Sequence, residues 1–438
     1  MTEVIFSFDT EDFTSNRSAD AIRDLANIFA EEGVTAHFAV VGLLASQLTA
    51  WGRDDVKAAL KKHIIGTHTY GHTLHPSVCE LSDDVDYNKS HSLVMENERK
   101  GISLIKENLG RDDIMYAVPP GNGDSYVGAY CYSEMGIPFY MDGCVHDGKN
   151  TLVDYCGSTR IPYVMSLEGL FFGGSYEGGK YLDEMAKYDR VVIYNHPNMA
   201  VKKKFWDALN YNRENLCSFG EWKQADDRKP EDTAEFYENI RMFIRTVKAD
   251  ARFKITNLRE IKARIDKNQP QPITLADIAD IKKKLGGKVQ PIGAYCASDL
   301  IYAAAELLRG KSSYTPDTKA VRGFLSEPVG VGEAVTLTAD DVRKAANQIK
   351  TGDFIPSSIT VGEKTVGPAD YLFAALDVLS GMDEVTVTPA AQSVAMPDFT
   401  DLAELHLAGT WLHSLSMKDE YLSDRLRLQS WTLRYRER

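Results

Sequence analysis

Three short segments carry the side chains able to hold a metal ion and move protons. Ser7-Phe8-Asp9-Thr10-Glu11-Asp12 sets three carboxylates at the end of an apolar run. Gly66-Thr67-His68-Thr69-Tyr70-Gly71-His72 follows a second such run. Its two histidines stand four residues apart, a spacing that turns both to one face of a helical turn, as a metal requires. Val191-Val192-Ile193-Tyr194-Asn195-His196-Pro197 ends a third run on a histidine. Taken singly, each has a plainer reading: surface acids cap helices, and a lone histidine after a strand is more often structural. Their joint occurrence shifts the balance, because in parallel barrels the reacting groups come from the C-terminal ends of several strands. One carboxylate with two histidines leaves room for water or substrate and suits zinc, iron, cobalt or nickel better than calcium or magnesium. A spare carboxylate beside the ion can serve as a base, and a separate histidine opposite it as an acid.

The elements that must position these groups alternate along residues 1–265. Val4 to Phe8, Ala36 to Val41, Ile64-Ile65, Met115 to Val118, Phe139 to Met141 and Arg190 to Tyr194 read as strands. Between them, helical periodicity runs over Asp20 to Glu32, Asp54 to Lys62 and Ser90 to Leu109, with Gly33 and Gly110 as stops, and over Thr233 to Ala249 near the end. Such repeated strand–helix units predict a parallel α/β barrel or a doubly wound sheet.

Asn268-Gln269-Pro270-Gln271-Pro272 cannot continue a helix and has little to bury, so it is read as a linker between a catalytic domain (1–267) and a mainly helical domain (273–438). The second domain repeats itself. Ser298 to Gly310 matches Ala369 to Gly381 at an offset of 71, and Ile273-Thr274-Leu275 is aligned with Val335-Thr336-Leu337 at an offset of 62. The copies are placed at about 273–333 and 334–390, the second with about nine extra residues. Phe399 to Arg438 reads as one or two helices with a basic tail.

The 63 acidic and 50 basic side chains leave a net charge of −13, which argues against nucleic acid as a partner. Six cysteines without a Cys-x-x-Cys pair exclude a disulfide scaffold and a cysteine zinc finger. The longest apolar stretch, Phe38 to Ala45, is far short of a membrane span. No export signal follows Met1, so the compartment is read as cytoplasmic by default, or as that of an exported chain whose signal has been removed.

In order and spacing the three segments resemble those of the NodB-homology polysaccharide deacetylases, carbohydrate esterase family 4. Ser7 to Asp12 is similar to the family's opening Asp-Asp or Asp-x-Asp motif, and Ile65 to His72 to its His-Ser/Thr-x-x-x-His metal motif. Thr35 to Gly42 resembles its Phe-Phe-Val-Val-Gly strand, and Tyr194-Asn195-His196 its late Leu-x-His motif. The resemblance covers roughly residues 3–265. It implies a distorted (β/α) barrel of about seven parallel strands and a divalent metal ion, zinc first, with iron, cobalt or nickel as alternatives. Carried over, Asp9 becomes the general base, His196 the general acid, and His68 and His72 metal ligands. The acidic ligand is Glu11, or Asp12 if the turn begins early; strand parity puts Glu11 on the face of Asp9.

One motif departs from the family. Where it carries Arg-x-Pro-x-Gly, this chain reads Tyr116-Ala117-Val118-Pro119-Pro120-Gly121, so the arginine that orients the base is missing and Pro120 has no N–H for an oxyanion. Gly121 is the alternative oxyanion donor, and Asp142 or His146 the groups expected to tune the base. Tyr70, Tyr116, Tyr126, Phe139, Tyr140, Phe171, Phe172 and Trp206 are the aromatics expected near a sugar.

The reaction implied is removal of an N-acetyl group from an amino-sugar-containing glycan, with metal-bound water as nucleophile. Two other readings stand beside it. One is a related hydrolase of a non-peptide C–N bond in a small nitrogenous compound; the other is a catalytically impaired glycan-binding protein. Phe354 to Lys364 and Tyr371 to Leu376 also resemble a pseudomurein-binding repeat, which implies attachment of residues 273–390 to a cell-wall glycan.

Overall fold

The computed structural model describes residues 1–141, 145–212, 215–216, 221–394, 413–414, 417 and 419–436. The chain divides into two compact units: Met1–Thr151 with Arg160–Arg264 and Leu405–Leu422, and Leu152–Thr159 with Ile265–Glu404 and Ser423–Arg438. The division after Arg264 falls a few residues before the proline-rich joint, and Leu152–Thr159 belongs with the later sequence.

Among the described residues, the parallel sheet of the first unit has eight strands: β1 (Thr2–Thr10), β2 (His37–Val40), β3 (Ile64–Thr67), β4 (Ile114–Ala117), β5 (Phe139–Tyr140), β6 (Met165–Ser166), β7 (Arg190–Asn195) and β8 (Phe253–Ile255). Their order is β5-β4-β3-β2-β1-β7-β6, with β8 beside the start of β1, and these pairings are parallel. This is the distorted (β/α) barrel that the resemblance implies, and one of the two arrangements that strand–helix alternation predicts. β1 shows the two-residue period that makes it work. Phe6 and Phe8 turn outward onto Phe29 of helix α1 (Asn16–Glu31), with ring centroids 5.1 and 5.2 Å apart, while Ser7 and Asp9 turn inward towards the Tyr163 hydroxyl.

Register then sets the site's level. Thr10 pairs with Val40 and Val40 with Thr67, and the residues just beyond continue the ladder: His68 N donates to Val40 O at 2.9 Å and Val118 N to Thr67 O at 2.9 Å. Glu11, His68 and Val118 therefore leave neighbouring strands at one height. Gly66 is required in this layer because a Cβ there would lie 2.6 Å from the Tyr116 ring.

The turn from His68 to His72 is not the helix its spacing suggests. Thr69 (φ 67) and His72 (φ 53) adopt left-handed backbone, and the two rings approach to 4.7 Å by tight turns instead. Gly101 of helix α2 (Tyr87–Leu109) supports this turn from behind, where a Cβ would lie 2.7 Å from Tyr70 Cα.

In the second unit, helices Ile278–Leu285, Ala297–Leu308, Ala339–Ala345 and Pro368–Leu379 pack with three short antiparallel strand pairs. The 71-residue offset holds for the long helices, whose third residues Asp299 and Asp370 both reach back to cap the chain before them. At the start of the repeat the aligned pair is different from the expected one. Thr274 caps with Asp277 and Thr338 with Asp341, and Ile273 and Leu337 are the strand-paired residues just before them, so the offset is 64 (274 to 338) and not 62. The alignment by Val-Thr-Leu was misled by a two-residue shift within one strand. The tail also differs from expectation: Asp419–Arg427 is helical, but Arg434 is buried and donates to Asp299 Oδ2 at 2.6 Å. No helix among the described residues is long and apolar enough to cross a membrane.

Glu98 of α2 is fully buried behind the histidine turn. It accepts from Tyr132 Oη at 2.6 Å, Asn97 Nδ2 at 3.0 Å and Tyr70 N at 3.4 Å. Burial outweighs these donors and lifts its carboxyl from 4.5 to about 7. The folded chain thus holds a proton there that the unfolded chain releases between about pH 4.5 and 7, so stability falls as pH rises through that window. The loss is about 3 kcal/mol at roughly 1.4 kcal/mol per pH unit. Urea unfolding of Glu98→Gln at pH 5 and pH 7.5 is expected to lack this component; equal pH dependence in both proteins would refute it.

Candidate metal centre and active site

Glu11, His68 and His72 converge at the C-terminal ends of β1 and β3. One ligand atom from each lies within 4.8 Å of the others, and all three residues are buried. Glu11 Oε2 stands 2.9 Å from His72 Nε2 and 3.7 Å from His68 Nε2. Burial opposes charge on Glu11, but His72 and His196 outweigh it and hold the carboxyl well below its usual value. Its second oxygen, Oε1, is buried and meets no hydrogen-bond donor. An unsatisfied buried carboxylate oxygen beside two inward imidazole nitrogens is the arrangement a divalent ion completes. The donor set of one oxygen and two nitrogens fits that ion.

Asp12 does not join them. Its Oδ1 accepts from Thr14 N at 2.9 Å and Thr14 Oγ1 at 2.6 Å, and its Oδ2 from Ser18 Oγ at 2.5 Å, which ties it to the start of α1. Strand parity continued past Thr10 carries the side chain after Glu11 to the other face, away from the cluster.

Asp9 and His196 occupy the other side of the same cavity, with Asp9 Oδ2 3.8 Å from His196 Nε2. The cavity holds about 450 Å³, and Gly121, Tyr163, Tyr194, Phe205 and Asp207 also line it. Tyr163 Oη donates to Asp9 Oδ1 at 2.6 Å and is itself fixed by its ring, stacked on Tyr194 at 4.5 Å. Here, then, a neutral phenol hydrogen-bonds Asp9, the residue expected from the resemblance to be held by an arginine. Glu168 accepts from both the backbone N and, at 2.9 Å, the Nδ1 of His196. Burial alone would depress His196, yet Glu11, Glu168 and Asp9 outweigh it and push the ring up to about 10. These carboxylates favour the protonated form of the ring.

Other expectations fall elsewhere. Tyr70 is not among the cavity residues; its ring lies under Lys100 Nζ at 4.1 Å. Asp142 lies outside the described residues, and His146, whose Nδ1 accepts from Gly148 N, is not among the residues that line the cavity with Asp9. Tyr116, Tyr126, Phe139, Tyr140, Phe171 and Trp206 are buried core residues, and the aromatics of the cavity are Tyr163, Tyr194 and Phe205. Tyr163, Glu168, Phe205 and Asp207 were missed. The first two flank β6, whose two residues are too few to show a period. The last two follow Lys202-Lys203-Lys204, which reads as a solvated run although Lys202 is buried on Asp227 at 2.7 Å.

Among the ten histidines, two are visibly structural. His37 and His63 each bridge two backbone groups, and burial lowers both to about 4, so they stay neutral.

No family model and no curated sequence matches the chain. Among solved structures it is similar to a putative polysaccharide deacetylase from Mycobacterium smegmatis, at 16% identity over 62% of this chain and 93% of that one, with a TM-score of 0.42. A family 4 carbohydrate esterase from Streptomyces lividans in complex with acetate matches at 12% identity, over 59% of this chain and 93% of its own, with a TM-score of 0.34. A PuuE allantoinase matches at 13% identity over 60% and 89%, with a TM-score of 0.38.

The cluster predicts that His68→Ala and Glu11→Ala lose a bound divalent ion, whereas Asp12→Asn keeps it. Metal analysis of the purified proteins checks this; a folded His68→Ala chain with undiminished metal would remove the histidine pair from the site.

Proposed function

We propose that the chain is a metal-dependent N-deacetylase of an amino-sugar-containing glycan. The observation that carries the reading is a single cavity with a Glu/His/His cluster on one side and an Asp/His pair on the other. A divalent ion held by Glu11, His68 and His72 would polarise the acyl oxygen and activate a water, and zinc fits this donor set best.

The remaining steps fall to the chain's own residues. Tyr163 occupies Asp9 Oδ1, which leaves Oδ2 to take the proton of the attacking water. The amine nitrogen is too basic to leave as an anion, so it must be protonated as the C–N bond breaks. His196 carries that proton on Nε2, and Glu168 on Nδ1 keeps the ring turned to the cavity. Acetic acid and a free amine result, the acid passing its proton to the amine or to water, and the proton on Asp9 returns to the histidine. Gly121, on the cavity wall after β4, is the candidate backbone donor to the oxyanion. The missing arginine favours an impaired chain only if nothing else holds the base, and Tyr163 supplies that hydrogen bond.

Acetate release from N-acetylated chitooligosaccharides by the metal-loaded protein tests the reading. Asp9→Asn and His196→Ala are each expected to lose about 10² to 10⁴ in kcat while retaining metal. Tyr163→Phe removes one hydrogen bond to a charged group and is expected to cost about tenfold in kcat with little change in KM. Bound metal without acetate release would turn the assignment to a small nitrogenous substrate.

A further inference from the structure

A histidine that ligates a metal through one nitrogen must give the proton on the other to an acceptor, which fixes both tautomer and ring angle. His68 has such an acceptor, with Nδ1 2.9 Å from Val118 O. His72 differs. Its Nδ1 is buried and makes no hydrogen bond, and the carboxylate Oδ2 of Asp207 stands 3.8 Å from it. Both side chains are 4% exposed, so water is a poor substitute.

The ring has little freedom to look elsewhere. His72 has left-handed backbone, and its imidazole packs against His68 at 4.7 Å and against the buried Trp206 at 5.8 Å. Its Nε2 points to Glu11, which places Nδ1 and Asp207 on the side away from the proposed ion. The proposed reaction makes no use of Asp207, since Asp9 is the base and Glu11 the acidic ligand.

We propose that Asp207 is a positioning residue of the metal centre, its carboxylate accepting the Nδ1 proton of His72 when Nε2 takes the ion. The inference rests on the metal-site reading of Glu11, His68 and His72. It also gives the run Phe205-Trp206-Asp207 a single purpose. Phe205 meets the His196 ring edge-on at 4.8 Å, Trp206 backs His72, and Asp207 orients it, so one short segment braces both the acid and a ligand.

The test is zinc affinity, measured on the metal-stripped full chain by competition with a chromogenic chelator. Asp207→Ala is expected to bind zinc roughly 10- to 100-fold more weakly. Asp207→Asn is expected to lose less, because an amide oxygen still accepts. The visible absorption of the cobalt-loaded proteins should change in the same order, which a merely structural residue would not produce. Should Asp207→Ala fail to fold, the near-isosteric Asp207→Asn carries the comparison. Affinities and cobalt spectra matching wild type in both variants overturn the proposal, and so does unchanged affinity with a raised KM, which would make Asp207 a substrate contact. A wild-type chain that binds no zinc is a distinct result and removes the metal reading together with this one.

Discussion

The buried carboxylate of Glu11 governs the rest of the site. It ends β1 inside the barrel with one oxygen unsatisfied, in a place where burial alone would neutralise it. Three imidazoles, His68, His72 and His196, offset that cost, and they arrive from two other strand ends. The barrel tolerates so much charge in so small a volume because every charged group meets an opposite one within a few ångströms. Remove the convergence of strand ends and each of these side chains would have to be on the surface.

Support around the cluster is uneven in an informative way. His68 is held by backbone, through Val118, and so follows directly from the β3–β4 pairing. Asp9 and His196 are held by side chains, Tyr163 and Glu168, that flank the short strand β6. A phenol, unlike a guanidinium, holds the Asp9 carboxylate without adding a positive charge beside it. His196, by contrast, is paired with the Glu168 carboxylate, which favours its protonated form.

The second unit is held together differently. Each of its duplicated helices carries, as its third residue, an aspartate that accepts a backbone N–H from the residue just before the helix. The two aspartates have different further partners. Asp299 receives the Arg434 guanidinium from the C-terminal segment, and Asp370 receives the Gln392 amide and the Val331 backbone. Equivalent positions in a duplicated fold thus hold different stretches of chain, which the sequence match between the helices does not reveal.

The amino-acid sequence alone determined the strand–helix alternation, the three chemical segments and the helical duplication, because these depend on local period and on residue type. It left Glu11 and Asp12 unresolved, since one peptide unit's turn decides which enters the cavity. The base's partner was equally out of reach: Tyr163 and Asp9 are 154 residues apart, and only the packing of β6 against β7 brings them together. His68 and His72 show the same division. Their spacing announced a pair, but left-handed turns braced by Gly101, not a helix, aim both rings at one point, and that choice belongs to tertiary contact.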